Sequence, residues 1–406
     1  MSTSLLRNRA FPLFWSARMF GTMAVQMQAV AIGWQIYGMT RSAFDLGLIG
    51  LMQFLPSILL VLVTGHVIDR FDRRRVLAVC FVLESLASLA LVAGSLAGWL
   101  SREAILIIVL ATGTVRAFKM PAMQAILPGI VPPHLFPRAL AASASAMQFA
   151  IIAGPAVGGF VYVASPVAVY ASALFLFLAS GLLVFLVRTE KNQSRREPFS
   201  LASLFAGVSY VWNRPVLFGA ISLDLFAVLL GGATALLPIY ARDILKVGPW
   251  GLGLLSSAPA VGALLMTFWL ARHPLEAKAG QRMFASVIAF GLATIVFSIS
   301  TSYVLSFFSL VLLGAFDMVS VVIRASLVQL RTPDEMRGRV SAVNSVFIGM
   351  SNQLGEFESG LTAAWFGAVP AVLLGGIGTI IVALCWMRFF PELAKIKGLH
   401  DASSET

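Results

Sequence analysis

The chain has 406 residues, of which 59% are hydrophobic and only 12% are charged, and its formal net charge is +11. Because a soluble domain is usually about one quarter charged, this composition argues against a soluble enzyme, a nucleic-acid reader and a disordered scaffold. An outer-membrane barrel is also disfavoured, since its strands alternate apolar and polar residues and the apolar runs here are unbroken. We therefore predict an all-α integral membrane protein.

Twelve apolar segments are long enough to cross a bilayer core, which needs about 20 residues per helix. The first follows Arg7 and Arg9 and is too long for the apolar part of a signal peptide. The predicted spans are residues 11–37, 46–68, 76–97, 104–123, 139–163, 166–187, 216–240, 252–271, 283–299, 303–323, 340–366 and 369–389. The one long connection follows the sixth span, so we predict an N-terminal six-helix bundle (1–188), a linker (189–214), a C-terminal six-helix bundle (215–390) and a tail (391–406).

The linker carries apolar residues at roughly helical spacing beside Arg195 and Arg196. These residues are Phe199, Leu201, Leu204, Phe205, Val208 and Val211. The pattern favours an amphipathic helix on the cytoplasmic leaflet of the membrane, and an irregular linker is the alternative.

Most of the 29 lysines and arginines lie in the N-terminus, in every second loop and in the C-terminal tail. Loops rich in lysine and arginine stay in the cytoplasm, so we predict a multi-pass protein with both termini cytoplasmic. The basic residues are spread over these loops and form no single exposed domain, so no nucleic-acid partner is expected.

Similar stretches recur about 200 residues apart. Residues 133–142 resemble 333–342, and residues 8–14 resemble 213–218. Such a repeat predicts two helical bundles related by an axis along the membrane normal, with a binding site between them near the midplane.

The loop between spans 2 and 3 resembles the signature cytoplasmic loop of the major facilitator superfamily, G-x-x-x-D-R-x-G-R-[RK]. The matching residues are Gly65, Asp69, Arg70, Arg73 and Arg74. Asp72 replaces the second glycine, so a different backbone is expected there. The resemblance implies a fold of two six-helix bundles and a latch that holds the two halves in the outward-facing state. Positive charge that only sets the topology is the alternative.

Span 5 contains Gly154, Pro155, Gly158 and Gly159. This stretch is similar to the glycine-proline motif of antiporters in the superfamily, with Ala150 in place of the upstream glycine, and it favours export over uptake. A structural kink is the alternative, since proline removes one helical hydrogen bond and glycine permits close packing.

Residues 332–342 and 355–360 resemble the branch of the superfamily that includes enterobactin exporters and transmembrane secretion effectors. This resemblance implies a bacterial inner-membrane exporter without a cofactor, acting as a monomer on a small hydrophobic or amphipathic molecule such as a drug-like compound or a siderophore.

Ionisable residues inside membrane spans are expensive and are treated as functional candidates. Arg18 and Arg116 lie in spans 1 and 4, and Asp224 and Asp317 lie in spans 7 and 10. In the superfamily these four spans line the central cavity. We predict that the two aspartates alternate between pairing with an arginine and binding a proton, because a carboxylate that leaves its partner in an apolar cavity takes up a proton more readily. A static salt bridge between the bundles is the alternative.

Five further charged residues lie within or near the predicted spans. Glu356 and Glu358 stand two apart and must point to different helix faces, and we expect Glu356 to face the cavity. Glu84 is expected to make a structural polar contact. Lys119 and Arg324 lie nearer the cytoplasmic ends and are expected to extend towards the membrane surface.

No catalytic, metal-binding or nucleotide-binding constellation is present in the sequence, so the chain is not expected to be an enzyme or to use ATP. The expected partners are a small-molecule substrate, protons and the lipid bilayer, with Gln28 and Trp34 as potential substrate contacts. Two other functions remain open: a lipid or lysophospholipid facilitator without proton coupling, and a membrane sensor that does not transport.

Overall fold

The computed structural model describes Leu5 and residues 9–187, 201–273 and 278–396. The helices in the first half of the chain are α1 (Ala10–Thr40), α2 (Ala43–Leu59), α3 (Val61–Arg70), α4 (Arg73–Ala97), α5 (Arg102–Ile126), α6 (Phe136–Ala164) and α7 (Pro166–Leu186). Those in the second half are α8 (Leu201–Trp212), α9 (Pro215–Leu230), α10 (Leu237–Ile239), α11 (Pro249–Arg272), α12 (Ala279–Ile299), α13 (Tyr303–Leu330), α14 (Asp334–Phe366), α15 (Ala368–Phe389) and α16 (Pro391–Ala394).

Within these ranges, nine helical segments are long and apolar enough to cross a membrane. The other three predicted spans correspond to α1, to α14 and to the consecutive helices α2 and α3, which meet at Leu60. The all-helical membrane fold predicted from the sequence is confirmed.

Polar side chains fix where several of these helices begin. Ser101 and Ser165 stand just before α5 and α7, and their hydroxyl oxygens accept hydrogen bonds from the backbone N–H of Ala104 (3.2 Å) and Ala168 (3.0 Å). Such caps satisfy backbone donors that have no partner inside the helix. The short turns between spans are therefore encoded locally by the sequence.

The chain forms two compact units. The first comprises Met1–Arg41, Met52–Phe199 and Val247–Ser257, and the second comprises Ser42–Leu51, Ser200–Lys246 and Ala258–Thr406. These units differ from the predicted bundles in two segments: the beginning of α2 belongs to the second unit, and the beginning of α11 belongs to the first.

Aromatic side chains form the core of the first unit. Phe14 of α1, Phe81 of α4 and Phe177 of α7 are each at most 1% exposed and belong to one apolar cluster. Gly21 of α1 lies directly against this cluster, where an added Cβ would be 2.5 Å from a ring carbon of Phe81. The small residue leaves room for the ring of Phe81 to reach α1.

A buried ion pair joins α4 to α5 in the first unit. Lys119 donates to the carboxylate of Glu84, and both side chains are almost fully buried. The ammonium also lies 5.7 Å and 5.8 Å from the ring centroids of Phe81 and Phe177. The expectation that Lys119 extends to the membrane surface is therefore wrong, because the fold supplies an anion deep inside the unit.

The linker contains a helix, α8, that packs against the second unit. Val211 is 5% exposed and shares an apolar cluster with residues of α9, α13 and α14. A Cβ at Gly207 would lie 2.9 Å from the carbonyl oxygen of Arg339 in α14. On other faces of α8, Trp212 is 68% exposed and Val208 is 36% exposed. The predicted amphipathic helix thus places part of its apolar surface on protein; Phe199 and the basic residues Arg195 and Arg196 lie outside the described residues.

The predicted seventh span, 216–240, is interrupted. The helix α9 ends at Leu230, two glycines follow, and the chain continues as a 3₁₀ turn over Ala233–Leu236. A Cβ at Gly232 would lie 2.5 Å from the carbonyl oxygen of Gly355 in α14. The close approach of these two backbones leaves no room for a side chain at the break.

The pairing of Glu84 with Lys119 predicts a specific stability pattern. Glu84→Gln should destabilise the protein by about 3–5 kcal/mol, because it leaves a buried ammonium without its counter-ion. The double variant Glu84→Leu/Lys119→Met should recover most of this loss, since two apolar side chains replace two charges. Equilibrium unfolding in mixed detergent micelles measures both. A double variant no more stable than the single one would contradict the assignment.

Candidate functional site

A small pocket lies inside the second unit, between α9, α12 and α13. Its polar lining comes from two carboxylates and two hydroxyls, contributed by Asp224, Asp317, Ser286 and Ser320. Apolar residues such as Phe290 complete the wall. Two of the four predicted cavity charges therefore share one pocket.

Asp224 is held by an arginine of its own unit. Its carboxylate forms a salt bridge with Arg324 of α13, and the two residues are 7% and 3% exposed. The expectation that Arg324 reaches the membrane surface is wrong, because it neutralises an aspartate inside the unit. Asp224 thus has a counter-ion without any contribution from Arg18 or Arg116.

Asp317 differs from Asp224 although it faces the same pocket. Across the described ranges it has no hydrogen bond and no ion pair, and it is only partly buried. Asp224 and Arg324 are its charged neighbours. Of the two aspartates, Asp317 is the one whose carboxylate is available to bind a ligand or a proton.

The two predicted arginines lie in the first unit and have neutral partners. Arg18 of α1 donates through Nη1 to the hydroxyl of Ser143 (2.8 Å) and through Nη2 to the sulfur of Met147 (3.3 Å). Arg116 of α5 donates to Oε1 of Gln53 (3.1 Å). Neither guanidinium has a carboxylate partner among the residues described in its unit.

The potential substrate contacts in α1 have different surroundings. Gln28 is 7% exposed and donates to the hydroxyl of Ser88 in α4 at 2.8 Å, so it is a packing contact inside the first unit. Trp34 is partly buried on the same helix, two turns further along.

The basic loop motif ties helix ends together within the first unit. Arg73 donates to the carbonyl oxygen of Ala125 (3.1 Å) at the end of α5, and Arg74 donates to that of Val187 (2.7 Å) just after α7. Both arginines thereby satisfy carbonyls at helix C-termini, where positive charge is favourable.

The remaining motif residues lie around this contact. Asp72, which replaces the glycine of the family pattern, has ordinary extended backbone and caps α4 by accepting from the backbone N–H of Arg74 at 2.9 Å. Gly65 lies within α3, and Arg70 ends that helix with an exposed side chain. The side chain of Asp69 lies outside the described residues.

The glycine-proline motif of α6 packs against two helices. A Cβ at Gly154 would lie 2.6 Å from the Cβ of Gln26, and one at Gly158 would lie 2.8 Å from the Cα of Met27, so both glycines face α1. Gly159 faces α11, where its added Cβ would be 2.9 Å from the Cα of Gly253.

The α6–α11 crossing involves two more residues. An added Cβ at Gly253 would lie 2.4 Å from the carbonyl oxygen of Pro155. The hydroxyl of Ser257 in α11 donates to the carbonyl oxygen of Ile152 at 2.7 Å. The motif therefore provides close packing on both sides of α6.

The second unit contains a matching crossing between α2 and α14. A Cβ at Gly360 would lie 2.5 Å from the Cα of Gly47. Next to it, an added Cβ at Gly50 would lie 2.7 Å from the Cβ of Glu356. Glu356 thus packs on α2, whereas Glu358 accepts a hydrogen bond from the hydroxyl of Thr362 in its own helix at 2.7 Å.

These glycine pairs correspond to each other in the internal repeat. Gly253 follows Gly47, and Gly360 follows Gly159, at a spacing of about 200 residues. Sequence reasoning named Gly159 as a motif residue and included Gly360 as the last residue of the stretch 355–360. The repeat itself was the signal for the others, because a glycine recurs at the equivalent point of each half.

The sequence matches the family described as transmembrane secretion effector over residues 2–405. It is 24% identical over 402 residues to an enterobactin exporter of Citrobacter koseri and 23% identical over 402 residues to one of Escherichia coli O81, in each case covering 98% of this chain and 96% of the relative.

Solved transporter structures share the fold. An inward-facing bacterial homolog of the human lysosomal transporter Spinster superposes with a TM-score of 0.74 at 13% identity, covering 97% of this chain and 98% of that one. An inward-facing bacterial homologue of the iron transporter ferroportin gives 0.73 at 16% identity, covering 97% and 100%. The likeness establishes the fold of two six-helix bundles with twelve spans.

The α2–α14 crossing predicts that Gly360 tolerates no side chain. Gly360→Ala should push α2 away from α14 and increase the labelling of Leu46→Cys, a buried position on α2, by a membrane-impermeant maleimide. Gly349→Ala on the same helix is the matched control, because nothing lies within 4 Å of its added Cβ. Equal labelling in the two backgrounds would contradict a tight contact at Gly360.

Proposed function

Because the chain belongs to the transmembrane secretion effector family of the major facilitator superfamily, we propose that it is a secondary active exporter of a small amphipathic molecule. It works by alternating access and exchanges cargo for protons. It resides in the bacterial inner membrane with both termini in the cytoplasm, as the distribution of lysine and arginine favours.

The observation that carries proton coupling is the position of Asp317. Its carboxylate faces a pocket inside the second unit and has no hydrogen-bond partner in the described chain, while the neighbouring Asp224 is already neutralised by Arg324. A carboxylate in a largely enclosed pocket binds a proton more readily when the nearest cation is already neutralised by another carboxylate. Asp317 is therefore the proton carrier, and Asp224 with Arg324 is the fixed pair beside it.

Arg18 and Arg116 of the first unit take part in the same transport cycle. In the superfamily, the spans that carry Arg18, Arg116, Asp224 and Asp317 line the central cavity. Arg18 and Arg116 keep their charge throughout, since the guanidinium does not lose its proton in proteins. Of these four side chains, only Asp317 changes its charge when a proton binds. The net charge of the cavity then changes by one, and this change shifts the equilibrium between the inward-open and outward-open states.

The direction and the cargo are supported by the family and by the relatives. The enterobactin exporters align over nearly the whole chain, which favours export and a siderophore or a similar amphipathic compound. The glycine-proline motif of α6 and the basic loop at Arg73 and Arg74 are the elements that the superfamily uses for antiport and for the cytoplasmic latch. Glu356, which packs on Gly50 of α2, is a third acidic candidate beside Asp224 and Asp317.

The role of Asp317 is testable in liposomes. With an imposed pH gradient, the wild-type protein should drive enterobactin, or a dye such as ethidium, against its concentration gradient. Asp317→Asn should reduce this flux to the level of protein-free liposomes while leaving downhill exchange intact, because the side chain can no longer exchange a proton. Glu103→Gln, which changes an exposed carboxylate at the start of α5, is the control.

Two results would overturn the proposal. Gradient-driven flux that is unchanged in Asp317→Asn would remove the residue from proton coupling. Gradient-independent movement of lysophospholipid, with no flux of the other cargoes, would favour the lipid facilitator instead.

A further inference from the structure

We propose that Arg18 is the centre of an anion-binding subsite, and that the cargo is an amphipathic molecule with an acidic group: a carboxylate, a sulfonate or a phosphate. This inference rests on the proposed export function and names the substrate class of the same cavity.

The first observation is that no described residue supplies a counter-ion to the guanidinium of Arg18. Its two contacts are the hydroxyl of Ser143 and the sulfur of Met147, which are neutral. A guanidinium has five N–H donors, and the Nε of Arg18 is buried without any partner in the described structure. The two Nη atoms thus fix the position of the side chain, while the Nε–H donor remains without an acceptor.

The second observation is the contrast with the other buried cation of the same unit. Lys119 receives the carboxylate of Glu84 and two aromatic rings. The fold therefore supplies an anion where a cation is structural. Arg116, one turn before Lys119 on α5, is exposed and donates a hydrogen bond to the neutral side chain of Gln53, while its charged neighbour Glu84 is already paired with Lys119. Arg18 and Arg116 are thus each held by a neutral side chain and form no ion pair with a described carboxylate.

Both arginines lie well inside helices that the sequence predicts to span the membrane. Counted along the helices at about 1.5 Å per residue, Arg18 is about 12 Å from the start of α1 and Arg116 is about 15 Å from the end of α5. Charges at such depth face the interior of a bundle or a water-filled cavity. Because Arg116 is exposed in the first unit, we assign its free side to water rather than to lipid.

The chemistry of the neighbours fits an amphipathic acid. The planar guanidinium binds carboxylate, sulfonate and phosphate oxygens in pairs. The thioether of Met147 offers a soft, polarisable surface for an apolar body. Trp15, one turn before Arg18, donates to the carbonyl oxygen of Ala142 at 2.9 Å and fixes α1 to α6 at this point. The acidic group binds at Arg18 while the apolar part of the cargo lies along α6.

The test compares two probes that differ in one charge. Dansylglycine carries a carboxylate, and dansylglycinamide has the same body without it. The full-length protein in phosphatidylcholine nanodiscs is titrated with each, and dansyl fluorescence reports binding. The wild-type protein should bind dansylglycine at least about tenfold more tightly, as expected for a charge-assisted hydrogen bond.

Variants assign this preference to Arg18. Arg18→Gln should abolish the preference while leaving the affinity for dansylglycinamide within about twofold, and Arg18→Lys should retain part of it, because lysine keeps the charge without the paired donors. Arg138→Gln, an exposed arginine at the start of α6, is the matched control. The retained amide affinity also shows that the variants are folded.

A further experiment with anionic lipid shows whether the bound anion comes from the membrane or from solution. If phosphatidylglycerol in the nanodiscs competes with dansylglycine, an anionic lipid headgroup also occupies the subsite; if it does not, the subsite is specific for a soluble acid. Both results support an anion site at Arg18. Equal wild-type affinity for the two probes, absence of saturable dansylglycine binding, or an equal loss for both probes in Arg18→Gln would overturn it.

These outcomes are distinguishable from failure of the proposed function. The binding assay involves no gradient and no transport, so a selective anion site without proton-driven flux would contradict the exporter alone. Proton-driven flux without any preference for the acidic probe would contradict the anion site alone.

Discussion

A charge buried among apolar helices is stable only beside an opposite charge or beside water, and this constraint organises the interior of both units. Glu84 with Lys119 and Asp224 with Arg324 satisfy it by pairing across neighbouring helices. In the described chain, four charges of the predicted spans make no ion pair: Arg18 and Arg116 of the first unit are cationic, and Asp317 and Glu358 of the second are anionic. The ion pairs thus differ from these four charges in having a carboxylate and a cation on neighbouring helices.

Close backbone contacts are the second organising feature. Without a hydrophobic driving force between helices in lipid, association depends on packing, and small residues allow it. Gly159 with Gly253 in the first unit, and Gly47 with Gly360 in the second, bring pairs of backbones into direct contact. The recurrence of this arrangement in both halves shows that the internal repeat extends from sequence motifs to packing geometry.

The sequence predicted the fold class and the location of the charged residues, because hydropathy and the spacing of lysine and arginine are one-dimensional signals. It did not predict the partners of those charges. Lys119 and Arg324 stand near helix ends and resemble residues that reach the surface, yet each meets a carboxylate on a neighbouring helix. Pairing across helices depends on their rotation, which hydropathy does not encode. For the same reason the packing of Gln28 against Ser88 was not foreseen.

The interruption of α9 has a mechanical consequence. Because the helical hydrogen-bond ladder already ends at Leu230, Gly231 and Gly232 can act as a joint between the helix below and the turn above. Two backbone hydrogen bonds cross the joint, from Ala233 N–H to the Gly231 carbonyl (2.7 Å) and from Ala235 N–H to the Gly232 carbonyl (3.2 Å). Tilting the later segment would strain these two bonds instead of the continuous ladder of an unbroken helix. The pocket that holds Asp224 and Asp317 reaches this joint, because Ala227 and Val228 line it less than about one and a half turns before Gly231.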